Sequence, residues 1–206
     1  MELTIQDVKN WMLQTNEKIK ENKDYLTTLD QAIGDGDHGV NMVRGFEKVV
    51  EKLEPANYTT VDEVFKDTAM TLMSSIGGAS GPLYATAFLK WTSAVKGLET
   101  LDQTAFAKGT QAALDGIKSR GKAEEGEKTM IDVWAKVNEL VVSENDVTVE
   151  NIKKAAHTAM EASKDIEATK GRASYFKEKS IGHIDPGCAS SSLLFESLAD
   201  VMKGNE

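Results

Sequence analysis

Apolar residues recur at helical spacing in segment after segment of this chain, and no stretch alternates convincingly with the two-residue period of a strand. Only 3 of the 206 residues are Pro, so few points force a helix to break. A first helix is predicted from Thr4, where Asp7 completes an acidic variant of the capping box and Ile5, Val8, Met12 and Ile19 share one face. A short helix follows over 24–33, then one over 40–53 with Val43, Val50 and Leu53 on one face and Pro55 as its stop. Thr60 and Glu63 open the next, with Val64, Phe65, Thr68, Leu72 and Met73 inward. Pro82 suits the first turn of a helix through Leu83, Ala87 and Trp91, and Asp102 caps one carrying Phe106, Ala113 and Ile117. Beyond a polar loop at 121–128, helices are predicted over 130–142 and 148–168, and a last one through Leu193, Leu194, Leu198 and Val201. No Pro/Ser linker and no repeat divides residues 1–206, so the expectation is one all-α domain of about eight helices, with short connections favouring antiparallel neighbours.

Charge narrows what such a domain can bind. Lys and Arg number 24 against 33 Asp and Glu, a net charge of -9, which argues against a nucleic-acid partner because a basic face supplies most of that affinity. It leaves room for a bound nucleotide if cations bridge the repulsion. Cys188 is the single cysteine, so neither an internal disulfide nor a Cys-based zinc cluster is available. The start, MELTIQDVKN, has no basic region followed by an apolar stretch, and no apolar run approaches the ~18 residues a spanning helix needs. The expectation is a soluble, cytoplasmic protein with no membrane partner.

The strongest chemical signal is the segment Asp30-Gln-Ala-Ile-Gly-Asp-Gly-Asp-His-Gly39. Three carboxylates, Asp30, Asp35 and Asp37, fall close together, separated by glycines that a continuous helix tolerates poorly. Ionised carboxylates so close repel unless exposed, partly protonated or neutralised by a hard cation, for which Mg2+ is the natural candidate. The alternative is a solvated acidic turn. The string GDGDHG also fits a dinucleotide-loop pattern, but it follows a helical segment and carries two carboxylates that would repel phosphate. An EF-hand fails because Val40 and Phe46 stand where a turn glycine and a bidentate Glu belong. Residues 116–122 read G-x-x-x-x-G-K, but Ala123 replaces the required hydroxyl, which excludes a P-loop. His38 is a candidate phosphate donor or a structural partner of a neighbouring Asp, and Asn41 a candidate helix cap or ligand contact. His157, on an Ala-rich helix, reads as structural or exposed.

Two further loops suit anions. Gly77-Gly78-Ala79-Ser80-Gly81-Pro82 precedes a helix, whose free N–H groups bind anions well. Later, Arg172 is a candidate phosphate clamp, although taken alone it reads as a surface Arg, and Asp185-Pro186-Gly187 reads as a tight turn before the last helix. Together these loops point to one phosphate-rich ligand, with a nucleotide the leading choice.

The strings DQAIGDGDHGVNM, SSIGGASGPLYATAF, GKAEEGEKTMIDVW and GRASYFKEKSIGHIDPGCASS, in this order, resemble the nucleotide-binding L subunits of dihydroxyacetone kinases over nearly the whole chain. The resemblance implies an antiparallel eight-helix barrel with the nucleotide at one end. It implies that Asp30, Asp35 and Asp37 hold two Mg2+ ions bridging to the phosphates, with His38, Gly39, Val40, Asn41, Ala79 and Ser80 lining the phosphate region. It places Gly121 and Met130 near the nucleotide, Met130 on the base, and assigns the remaining contacts to Arg172, Asp185, Pro186 and Gly187. Cys188, where the family often has a small residue such as Ala, is a mild departure.

The family comes in two forms, one fused to a substrate domain and using ATP, the other a free subunit. At 206 residues the chain resembles the free subunit. There ADP stays bound as a coenzyme, becomes ATP in the charged state by phosphorylation from an M-type phosphotransferase-system subunit, and passes the phosphoryl group to dihydroxyacetone on a K subunit. On that reading Asp30, Asp35, Asp37 and Arg172 carry the catalysis through positioning and charge neutralisation. An ATP-exchanging kinase subunit for another acceptor, or a nucleotide-sensing module that binds a regulator, are the alternatives.

Overall fold

The structure is a computed structural model, and it describes residues 2–143 and 147–204. Helices dominate it: α1 (Ile5–Glu21), α2 (Lys23–Ile33), α3 (His38–Leu53), α4 (Val61–Ser75), α5 (Ser80–Ala94), α6 (Gln103–Gly121), α7 (Met130–Val142), α8 (Val149–Ala162) and α9 (Pro186–Lys203). The capping boxes expected at Thr4–Asp7 and Thr60–Glu63 are formed, and a third, Thr129–Asp132, opens α7. Asp102 caps α6 by accepting the Ala105 N–H, and Asp185 caps α9 by accepting the Cys188 N–H.

α1, α3, α4, α5, α6, α7, α8 and α9 each pack on the next, and α9 packs back on α1, so these helices form a closed ring. α2 lies outside it, against α3 and α9. The ring is filled by aromatic side chains. Trp11, Phe65, Phe88, Trp91 and Phe106 meet at the centre with ring centroids 4.9–6.4 Å apart, many edge to face. The Trp11 indole N–H donates to the Leu194 carbonyl, tying α1 to α9.

Helix direction around the ring follows from what meets at each end. A short antiparallel pair, β1 (Glu2–Thr4) with β2 (Thr100–Asp102), joins the start of α1 to the start of α6. The Val61 N–H donates to the Leu98 carbonyl, so α4 begins at that same end. At the other end, one cleft is lined by the starts of α3, α5, α7 and α9. Neighbours in the ring are therefore antiparallel.

Four local expectations are corrected. The strand pair was not expected; each strand has 3 residues, too few to display a period. In α3 the inward face is Met42, Phe46, Val49 and Leu53 rather than Val43, Val50 and Leu53, and Met73 of α4 is 40% exposed. α8 stops at Ala162 instead of continuing to Ala168: it tightens into one 3-10 turn over Ser163–Asp165, Ile166 is extended, and the Ser163 and Ile166 carbonyls accept from the Lys128 ammonium. No helix among the described residues is long and apolar enough to cross a membrane.

Candidate functional site

The acidic loop is built by Asp30. This residue sits in the last turn of α2, is 7% exposed, and its Oδ2 accepts the backbone N–H groups of Asp37 at 2.9 Å and His38 at 3.1 Å. One carboxylate therefore folds residues 34–37 back onto the helix that precedes them. Glycine is required for that closeness: a Cβ on Gly34 would lie 2.0 Å from Asp30 Oδ1, and Gly36 takes φ +76°. Asp35 and Asp37 are left exposed beside it, and one oxygen from each of the three carboxylates lies within 4.8 Å of the others. That donor set, hard oxygens around a small space, fits a divalent cation such as Mg2+. Arg172 Nη2 reaches Asp35 Oδ2 at 2.9 Å from the far side of the cleft.

His38, at the start of α3, is buried, and burial pushes its pKa down to about 4 against the opposing pull of Asp30 and Asp37. It is therefore a neutral imidazole at pH 7. Its Nε2 lies 2.9 Å from Ser190 Oγ and its Nδ1 3.3 Å from Ser80 Oγ, and the ring also meets the Pro186 backbone, so no neighbouring Asp is bonded to it. Ser190 in turn contacts Tyr84 OH at 2.8 Å, Tyr84 OH contacts Ser191 Oγ at 3.0 Å, and Ser191 accepts the Trp134 indole N–H. This chain of hydrogen bonds links the starts of α3, α5, α7 and α9 beneath the cleft floor.

Four helix N-termini line one cleft, and the positive dipole end of each suits an anion there. The cleft wall takes in Asp30, Asp35, Asp37, His38, Asn41, Ala79, Ser80, Met130, Arg172, Asp185, Pro186 and Gly187. Asn41 Oδ1 accepts a hydrogen bond from Arg44, which is thereby fixed near the wall. Burial raises the Asp185 carboxyl to about 7, although its bond from the Cys188 N–H works the other way. A second, more apolar hollow adjoins the first, lined by Pro82, Leu83, Ile117, Gly121, Ala123, Met130 and Ile131. Met130 belongs to both, at the junction of the polar and apolar parts.

Gly39 and Val40 are not on the cleft wall. Gly39 faces α2, where a Cβ would lie 2.2 Å from the Lys23 carbonyl, and Val40 is 47% exposed. What they offer is backbone in the first turn of α3. Sequence reasoning missed Tyr84, Lys128 and Lys170, all on the wall, and Ser190 beneath it. The run Ser190-Ser191-Ser192 was an available sign for one of these, because three buried hydroxyls in a helix need partners.

This fold and cleft define an all-α barrel with an acidic loop and converging helix starts at one end. The chain belongs to the DAK2 domain family, whose model matches residues 32–200. It is 49% identical over 201 residues, 97% of this chain and 99% of the relative, to the PTS-dependent dihydroxyacetone kinase, ADP-binding subunit DhaL, of Lactococcus lactis. It is also 49% identical over 191 residues, 91% of this chain and 92% of the relative, to the PEP-dependent dihydroxyacetone kinase 1, ADP-binding subunit DhaL, of Listeria innocua. In fold it matches the dihydroxyacetone kinase of C. freundii, solved in complex with AMP-PNP and Mg2+, with a TM-score of 0.74 at 21% identity. That match covers 94% of this chain and 33% of the other.

Proposed function

We propose that this chain is the ADP-binding subunit of a dihydroxyacetone kinase that draws its phosphoryl group from the phosphotransferase system. The observation that carries the reading is the meeting of three carboxylates, Arg172 and four helix starts on one cleft that continues into an apolar hollow. The near full-length likeness to ADP-binding subunits supports it. Asp30, Asp35 and Asp37 would hold two Mg2+ ions, which would neutralise phosphate charge and bridge it to an otherwise repulsive loop. Bound ADP would supply a phosphoryl relay, from an M-type donor subunit to dihydroxyacetone on a K subunit.

The chain's own groups position and neutralise. Phosphoryl transfer passes through a loose transition state, so positioning and charge stabilisation are most of the catalysis. The start of α5 at Ala79 and Ser80 lines the phosphate region, where Ser80 adds a hydroxyl, while the His38 N–H at the start of α3 is spent on Asp30. Neutral His38, held between Ser80 and Ser190, orders that wall without adding charge. Arg172 offers a planar cation opposite the acidic loop. Met130, beside Gly121 and Leu83, gives the base an apolar seat, and the Asp185-Pro186-Gly187 turn closes the remaining side.

The test is to purify the protein in magnesium without added nucleotide, denature it with acid and chromatograph what is released. Near-stoichiometric ADP is the expected result. An empty site with rapid exchange of added ATP would replace this reading with an ATP-using kinase subunit or a nucleotide sensor.

A further inference from the structure

One buried cation outside the acidic loop has no carboxylate bonded to it. Lys128 is 1% exposed, and its ammonium donates to four backbone carbonyls: Ser163 at 2.7 Å, Ile166 at 3.1 Å, Ser180 at 2.8 Å and His183 at 2.6 Å. An ammonium has three N–H bonds, so these acceptors use all of them and share one. A charge so deeply buried is tolerated only when such dipoles replace its water. The backbone pays as well: Lys128 takes φ 60°, a left-handed conformation that a non-glycine residue keeps only where its surroundings impose it.

The four carbonyls belong to two legs of one strap. The first leg leaves α8 at 163–168, the second returns to α9 at 180–184, and Lys128 sits between them. Further rungs join the legs, Gly182 N–H to the Lys164 carbonyl and Ala168 N–H to Ser180 Oγ. Between them the strap arcs over the cleft, where Gly171, Arg172 and Ala173 form part of the wall and Arg172 meets Asp35. Apolar burial contributes little to holding it there. Ile184, at the foot of the second leg, joins the main core, but the arc's other buried apolar contacts form a small separate cluster of Ile33, Ala168 and Ala173.

We propose that Lys128 is the positioning residue that holds this strap across the cleft, fixing Arg172 over the acidic loop and slowing the departure of the bound ligand. The ligand part rests on the reading of the cleft as an Mg2+–ADP site; the strap part does not. Hydrogen exchange on the ligand-free protein tests the strap directly. Amides of 168–181 are expected to be protected in the wild type. In Lys128→Met their exchange should rise by about tenfold or more, the scale of losing bonds to a charged group, while the amides of α4 and α5 stay as they were. Lys128→Gln is shorter but keeps an N–H donor group, which Lys128→Met, of nearly the same volume as Lys, does not, so the Gln variant should fall between the two. Release of ADP in magnesium should quicken in the same order.

Four results would overturn the proposal: an unprotected strap in the wild type, equal exchange in the Gln and Met variants, a loss spread evenly over all helices, or an equal opening in Ser180→Ala, which leaves the ammonium in place. The wild-type and Ser180→Ala measurements stand even if Lys128→Met does not fold. A strap that loosens in a protein that never retains ADP would leave the grip in place and remove the ligand assignment.

Discussion

Asp30, Asp35 and Asp37 carry the same charge in different surroundings, so their loss has different consequences. Asp30 accepts two backbone N–H groups and is buried. Asp30→Ala leaves those donors unsatisfied and should cost about 1–3 kcal/mol in urea unfolding. Asp35 and Asp37 are exposed, so Asp35→Ala and Asp37→Ala should unfold within about 0.5 kcal/mol of the wild type while abolishing nucleotide retention. Normal ADP binding in both would sink the metal assignment.

Asp185 supplies a pH signature at the same scale. Its folded pKa of about 7 lies above its ordinary 3.8, so between these values the folded chain holds a proton that the unfolded chain has released. Stability from this group is complete below about 4 and is lost as pH rises to about 7. His38 has the opposite sign, with a folded value of about 4 below its ordinary 6.5, so it adds stability as pH rises across that interval. Asp185→Asn keeps a capping oxygen and leaves His38 in place, so the variant's melting temperature minus the wild type's should climb from pH 4 to 7 and then level off. A flat difference would refute the burial of a shifted carboxyl. The acidic loop was legible in the sequence because like charges beside glycines are a local signal, whereas Arg172 alone read as a surface Arg and entered through the family resemblance. Lys128 and Tyr84 were not, since their partners lie 35–55 and 106–107 residues away.

At the scale of elements, helix contacts are set by where the backbone comes close. A Cβ on Gly109 of α6 would lie 2.3 Å from Trp91 Cε3 on α5, so Gly109 lets the two helices approach around that indole. Alanine is the better helix former by about 1 kcal/mol. Gly109→Ala should nevertheless destabilise the protein by up to about 1–3 kcal/mol, because overpacking a filled core outweighs propensity. A urea midpoint at or above the wild type's would contradict this crossing. Most helices could be read from periodicity and caps, since both are properties of neighbouring residues. The end of α8 could not, because the ammonium that its outgoing carbonyls meet lies 35 residues away. The pairing of 2–4 with 100–102 was equally hidden, because only closure of the barrel brings those residues together.

At the scale of the molecule, antiparallel order around the ring places four helix starts at one end, and the resemblance to known L subunits anticipated that barrel. Because the cleft draws on α3, α5, α7, α9 and the strap, a ligand there stabilises the whole chain. Mg2+ with ADP at about 100 times its dissociation constant should add about 2.7 kcal/mol, seen as a raised melting temperature. ADP with a chelator should not. An equal shift with and without the chelator would separate nucleotide binding from the acidic loop.

The seam of the ring lies between its first helix and its last, where the Trp11 indole meets the Leu194 carbonyl 183 residues further on. During synthesis the barrel therefore stays open until α9 has left the ribosome. Growing chains hold α3, α5 and α7 with no closed cleft between them, and the last turn to form, at Asp185-Pro186-Gly187, also completes the cleft wall. A chain halted before α9 would lack the part of the cleft wall that Asp185, Pro186 and Gly187 supply.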